Sequence, residues 1–196
     1  MTLYKPVAHN DLKALVLLSR TPGIRMRTLA PYFEQGVRPC EILERIQSGE
    51  NPAWKMSLET LQKIFHPEEE ILRAAELKIE LIPFGGSKYP FLLKETADPP
   101  LVLYLKGSLL DLDEAAIALV GSRHPSLYGL EQARRFARRF SEMGLTVVSG
   151  FARGIDRAGH EAALQISYGR TIAVLGSGLD VVYPREHEKL YEQIAE

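Results

Sequence analysis

"ALVGSRHPSLYG", residues Ala118–Gly129, leads from an apolar segment through a glycine into a serine, an arginine and a proline-broken turn, and then into a helical pattern. An apolar run that ends on glycine and opens a helix marks a buried strand of an α/β fold. Two more stretches repeat the arrangement, "LTVVSG" over Leu145–Gly150 and "TIAVLG" over Thr171–Gly176. Between the first two, Leu130, Ala133, Phe136, Ala137, Phe140 and Met143 share one helical face, and Gly144 stands where a C-terminal cap belongs. A second helix is expected from about Asp156 to Ile166, with Asp156 as its cap. Strand–helix–strand–helix–strand with right-handed crossovers gives a parallel sheet, and near-continuous apolar runs predict strands buried on both faces.

In a parallel sheet the carboxyl ends of the strands lie along one edge. Three corners are therefore expected together: Gly121-Ser122-Arg123, Ser149-Gly150-Phe151-Ala152-Arg153-Gly154, and Gly176-Ser177-Gly178. Ligands of open α/β sheets bind at that edge. Glycines there admit close backbone approach, and helix starts present N–H donors to anions. The dinucleotide fingerprint is not met, because it requires three spaced glycines and an acid about 20 residues on. "GSRHPS" has one glycine, and the second strand ends in Ser149-Gly150 with no acid at its tip. An arginine beside a serine hydroxyl suits a single phosphate or a phosphodiester. The residues alone leave a plainer reading open, in which Gly121 is only a turn and Arg123 only an ion-pair partner.

Asp156 and His160 read more readily as a cap and a satisfied core histidine than as an acid–base pair. His187 has no partner at metal-ligand spacing, and there is no Ser-His-Asp, zinc or Walker arrangement. No catalytic residue, metal ligand or cofactor is expected.

Of the 196 residues, 45% are hydrophobic and 25% charged, enough for one sizeable core or two modest ones. The single cysteine, Cys40, excludes an intrachain disulfide and a thiol metal cluster, which points to a reducing, cytoplasmic setting. "MTLYKPVAHNDLK" at the N-terminus has no apolar core of signal-peptide length, and no apolar run approaches the ~20 residues of a membrane span, so no membrane partner is expected. A net charge of −1 argues against a wholly basic nucleic-acid binder. The distribution is uneven, however. Residues 1–115 carry 14 basic and 16 acidic side chains, residues 116–170 carry 8 and 4, and residues 171–196 carry 2 and 5. All eight basic residues of the middle segment are arginine, which forks phosphate better than lysine does. Charge alone does not separate a polyanion site from a solvated helix face.

Residues 11–66 read as short helices: "DLKALVLLSR", then "TPGIRMRTLAPYF", which breaks and restarts the pattern, then "PCEILERIQSG" and "SLETLQKIF", the last capped by Ser57. "HPEEEILRAAELK" has Pro67 near a helix start and three glutamates in its first turn, as a bridging helix would. "IELIPF" and "LVLYLKG" read as strands. The expected division is a helical domain over 1–66 and an α/β domain over 67–196.

In combination, GSR after one strand, SG-x-ARGID after the next, and LGSGLD with YP after the third resemble the DNA-processing protein A (DprA/Smf) family. "YPFLLKETADPPLVLYLKGSL" resembles that family's entry into its sheet, and the resemblance covers roughly Leu12 to the C-terminus. It implies an extended Rossmann-like parallel sheet behind a small all-α SAM/helix-hairpin-helix-like domain. The chain stops at "EKLYEQIAE", in a helix after the third strand, so the sheet is expected to be incomplete. The resemblance implies a bacterial, cytoplasmic, non-enzymatic binder of single-stranded DNA that helps load the RecA recombinase in natural transformation, and a homodimer at full length. It gives Gly121, Ser122 and Arg123 a DNA phosphate-binding role, with Ser149, Gly150, Arg153, Gly154, Gly176, Ser177 and Gly178 shaping the same pocket. "TPGIR" resembles a helix-hairpin-helix turn with Arg25 in place of a glycine. Arg20, Arg25 and Arg27, with Lys13, lie in a stretch without an acid from Leu12 to Phe33 and would add accessory DNA contacts. The alternative is a nucleotide-binding protein or nucleoside-monophosphate phosphoribohydrolase of the lysine-decarboxylase-like Rossmann group, whose PGGxGT-x-x-E signature is not in the sequence.

Overall fold

A computed structural model describes residues 8–196, and expectations for residues 1–7 lie outside them. Contacts divide the chain into two compact units, one ending at Leu105 and the next beginning at Lys106.

The first unit is built on α1 (His9–Arg20), whose Ala14–Leu18 segment is buried. Around it stand α2 (Met26–Glu34), α3 (Pro39–Ser48), α4 (Pro52–Gln62) and α5 (Pro67–Glu76). The last three each begin with proline, whose missing N–H costs nothing in a first turn. Asn51 caps α4 by accepting from the Trp54 N–H at 3.1 Å. The expectation that Ser57 is a cap is thereby corrected, because the helix starts five residues earlier at Pro52 and Ser57 lies within it. The hairpin β1 (Glu80–Pro83) and β2 (Val102–Leu105) is antiparallel, with the single turn α6 (Phe91–Lys94) in its connection.

The sequence boundary after residue 66 follows a change of texture, whereas the compact unit runs on to Leu105. The reason is apolar packing. Leu81, Phe84, Leu101, Val102 and Tyr104 of the hairpin join the core formed by Leu15, Leu18, Leu29, Ile42, Ile46 and Leu58. An isolated two-stranded hairpin is marginal in water, and the helices supply its cover.

In the second unit, β3 (Ala116–Ala118), α7 (Leu127–Glu142), β4 (Thr146–Ser149), α8 (Ile155–Leu164), β5 (Thr171–Ala173) and α9 (Glu188–Ala195) follow one another. The strands form a parallel sheet in the order β3-β4-β5, with Ile117 opposite Val147 and Val147 opposite Thr171. Ser126 caps α7 by accepting from the Gly129 N–H at 3.1 Å. Val147 packs with Ala137 of α7 and Ala162 and Ala163 of α8, so alanines let both helices lie close on one face. The other face is open. Ala116 and Ala118 are exposed, and Val120 and Val174 are 68% and 60% exposed. The expectation of strands buried on both faces is therefore corrected to one covered face, because α7 and α8 both lie on the Val147 side. At the amino end of the sheet, Arg170 forks Asp113 at 2.8 and 2.9 Å, and Thr146 donates to the same carboxylate at 2.7 Å.

Candidate functional site

At the carboxyl end of the sheet the first two corners are fastened to each other through backbone. The Ile155 N–H donates to the Ser122 carbonyl at 3.2 Å. Gly154 has φ +80°, and a β-carbon there would overlap the Ser122 carbonyl oxygen and stand 2.8 Å from Pro125 Cδ. Ile155 lies over Gly121, where a β-carbon would meet its side chain at 2.7 Å. These two glycines are thus accounted for by contact between loops. Asp156, 5% exposed, completes the junction: Oδ1 accepts from the Gly121 N–H at 3.4 Å and Oδ2 from the Ala152 N–H at 3.3 Å. The helix N-cap is Gly154, so the expected cap role of Asp156 is corrected; its carboxylate reaches out of the first turn to amides of the two corners.

The second corner is anchored by Phe151, a non-glycine residue at φ +62° whose side chain is 1% exposed. Its ring meets His187 edge-on at a centroid distance of 5.2 Å and lies 6.1 Å from His160. Hydrogen bonding fixes both imidazoles. The Phe151 carbonyl can only accept, so His187 Nδ1–H donates to it at 3.2 Å. Thr171 donates its one O–H to the Val147 carbonyl at 2.7 Å, so His160 Nδ1–H donates to Thr171 Oγ1 at 2.6 Å. Both Nε2 atoms are then bare acceptors, buried and without a partner among the described residues. Burial pushes His160 down to about 4 and lowers His187 too, which keeps both rings neutral at pH 7.

Outside this anchored loop a cavity of about 290 Å³ opens between the three corners, lined by Arg123, Gly150, Phe151, Ala152, Arg153, Leu175, Gly176, Ser177, Tyr183 and Pro184. Two arginines are its charged lining. Arg123 is exposed and has no ion-pair or hydrogen-bond partner among the described residues. Arg153 is held by Glu186, Nε to Oε1 at 2.5 Å and Nη2 to Oε2 at 3.1 Å. That hydrogen bonding holds the Glu186 carboxyl down to about 2 and raises the Arg153 guanidinium. At Gly176 no atom lies within 4 Å of a β-carbon position, so its missing side chain is open space facing the cavity. Ser177 donates to the Val181 carbonyl at 3.0 Å.

The structure thus brings Arg123, Gly150, Arg153, Gly176 and Ser177 to one cavity wall. Gly121, Ser122 and Gly154 form the junction behind it, and the Ser122 hydroxyl oxygen accepts from the His124 N–H at 3.1 Å. Gly178 packs against the Asp180 carboxylate. Ser149 is 3% exposed and donates to the Leu119 carbonyl at 2.6 Å, a bond inside the sheet. Tyr183, 63% exposed, and Glu186 escaped the reading of the sequence. For Tyr183 a signal was present in the YP that follows the third corner; Glu186 gave none, because it meets Arg153 across 33 residues.

Of the eight arginines in residues 116–170, Arg139, Arg153, Arg157 and Arg170 pair with Glu142, Glu186, Glu161 and Asp113. In the first unit, Arg20 pairs with Glu70 at 2.7 Å and Lys13 with Glu68 at 3.1 Å, so α5 neutralises part of the acid-free stretch. Arg25 and Arg27 are exposed. Among the described residues, no group of three or more His, Cys, Asp or Glu is placed to hold a metal ion, and no helix is long and apolar enough to cross a membrane.

Comparison with known proteins gives one family. The family described as DNA recombination-mediator protein A matches residues 80–196. The chain is 43% identical over 116 residues to Protein Smf of Escherichia coli (strain K12), covering 59% of this chain and 31% of the relative. It is 37% identical over 134 residues to DNA processing protein DprA of Bacillus subtilis (strain 168), covering 67% of this chain and 45% of the relative. The matched stretch therefore spans less than half the length of these curated relatives. Among solved structures, DNA processing protein A from Streptococcus pneumoniae superposes with a TM-score of 0.72 at 31% identity, over 96% of this chain and 65% of the other. DNA processing protein A from Helicobacter pylori, solved to show its single-stranded DNA binding mode, superposes with a TM-score of 0.52 at 26% identity, over 61% of this chain and 52% of the other.

Proposed function

The chain belongs to the DNA recombination-mediator protein A family, and from that premise we propose that it binds single-stranded DNA as a recombination mediator of natural transformation, in the cytoplasm and without catalysing a reaction. On this reading it helps load RecA, and the full-length protein is a homodimer. The carrying observation is Arg123. Its guanidinium is unpartnered among the described residues and stands at the carboxyl edge of a parallel sheet, on a cavity that Gly176 leaves open. A backbone phosphate there accepts charge-assisted hydrogen bonds from it. Gly121, Ser122, Gly154 and Gly178 act in this reading as the scaffold of the corners, and Gly150, Arg153 and Ser177 as wall.

The rival hydrolase reading needs a general acid or base at the wall. The lining offers arginine, serine and tyrosine side chains as its polar groups, and the nearest carboxylates are engaged, Glu186 with the Arg153 guanidinium and Asp156 with two amides. This favours binding over hydrolysis of a nucleoside monophosphate.

The test is a salt titration of a short oligonucleotide against the wild-type chain and Arg123→Ala. The variant is expected to bind about tenfold more weakly. Release of free base from nucleoside monophosphates by the wild-type chain would instead favour the hydrolase.

A further inference from the structure

We infer that Glu186 sets the specificity of the cavity, making it a site for the singly charged phosphodiester inside a strand rather than for a doubly charged terminal phosphate. This rests on the reading of the cavity as a DNA phosphate site.

Two guanidinium groups on one cavity of about 290 Å³ would by themselves suit a dianion. Glu186 changes that count. Its two carboxylate oxygens occupy Nε and Nη2 of Arg153, one of the two edges with which arginine can fork phosphate. An anion of the same forked geometry is already in place, supplied by the chain. Among the described residues, Arg123 then remains the one uncompensated charge on the wall. The next carboxylate, Asp156, lies behind the wall, 5% exposed, with its two oxygens engaged by the Gly121 and Ala152 N–H groups. A phosphodiester carries one negative charge and is matched by Arg123. A terminal phosphate carries about −1.5 to −2 at pH 7, and its additional charge finds no free cation on the wall.

The carboxylate is placed there by the fold. Glu186 sits in a short 3-10 turn, Arg185–His187, and His187, the next residue, is 1% exposed and bonded to the Phe151 carbonyl. Phe151 and Arg153 belong to one loop, Glu186 and His187 to the other. The two loops are thus cross-linked twice, by His187 to Phe151 and by Glu186 to Arg153. A glutamate on a freely rotating surface turn would leave the fork of Arg153 available to a ligand; this one is held beside it.

The experiment measures binding of one short oligonucleotide, with a 5′-hydroxyl and with a 5′-phosphate, to the full chain, to Glu186→Gln and to Arg123→Ala. Glu186 is half exposed, and the glutamine is isosteric, so thermal melting serves as the folding control. Wild type is expected to bind the two oligonucleotides within about twofold of each other. Glu186→Gln is expected to bind both more tightly, by about three- to tenfold, and to prefer the 5′-phosphate by about threefold or more. Equal or weaker binding by Glu186→Gln, or a wild-type preference for the 5′-phosphate, overturns the inference while leaving the DNA reading in place. Wild-type binding that is absent, or indifferent to Arg123→Ala, overturns the DNA reading and the inference with it.

Discussion

Gly154 and Ser122 are in backbone contact: a β-carbon on the glycine would overlap the serine's carbonyl oxygen, and the same glycine has φ +80°. Gly144 has the same φ but no atom within 4 Å of its β-carbon position. The pair separates two costs. Gly144→Ala is expected to lose about 1 kcal/mol, the penalty of a left-handed alanine. Gly154→Ala adds overpacking against fixed backbone and is expected to lose roughly 2–4 kcal/mol. Chemical denaturation of both variants measures the difference, and equal losses would show that the two corners are not held in contact.

Gly176→Ala is the converse case. No neighbour crowds residue 176 and its φ is not positive, so stability should change by less than about 0.5 kcal/mol. The added methyl instead occupies the cavity, and oligonucleotide affinity should fall about fivefold, the equivalent of about 1 kcal/mol of crowding. Denaturation curves and anisotropy on the same variant check both halves.

For Arg123→Ala the loss of affinity should be similar for oligonucleotides of different base composition, because a phosphate contact carries no sequence information. The slope of log affinity against log salt should shrink by about 0.7, the value for one single-strand phosphate. If the first unit adds accessory contacts, Arg25→Ala and Arg27→Ala should weaken binding more than Arg20→Ala. All three are exposed, but Arg20 is already paired with Glu70, whereas Arg25 and Arg27 have no ion pair among the described residues.

Acid should destabilise the fold through His160. Its folded value, about 4, lies below the ordinary 6.5, so between these pH values the unfolded chain binds a proton that the folded chain refuses. Stability is therefore full above pH 6.5 and falls as pH drops to about 4, by on the order of 3 kcal/mol from this residue. His187, also lowered by burial, acts in the same direction. His160→Asn keeps a donor toward Thr171 and removes the titration. Urea unfolding at pH 7, 5.5 and 4 should show a flatter pH dependence for the variant than for wild type.

The local signals in the sequence were sound where structure is local. The helix α7 and the glycine ends of β4 and β5 follow from spacing within one turn or one strand, although Phe136 and Met143 of the expected α7 face are 51% and 64% exposed. The shared edge of the three corners follows from parallel topology alone. What the sequence did not reveal is long-range pairing. The β1–β2 hairpin reads like part of the α/β sheet until its apolar side chains are seen to need the helical core. Gly121 reads as room for a ligand until Ile155 is found over it. The acid-free stretch from Leu12 to Phe33 reads as a basic face until Glu68 and Glu70 arrive from α5. Each of these partners is separated from its mate by more residues than any periodicity can span.

The anchoring of Phe151 bears on how fast a strand can be captured. With its ring packed between two imidazoles and its carbonyl tied to His187, the loop that carries Arg153 has already lost its conformational entropy when the chain folds. On the proposed reading the loop is already ordered before a phosphate arrives, so its ordering adds no cost to association. Capture should then be a single kinetic phase whose rate is set by the field around Arg123 and falls with ionic strength, as expected of a preformed electrostatic landing site.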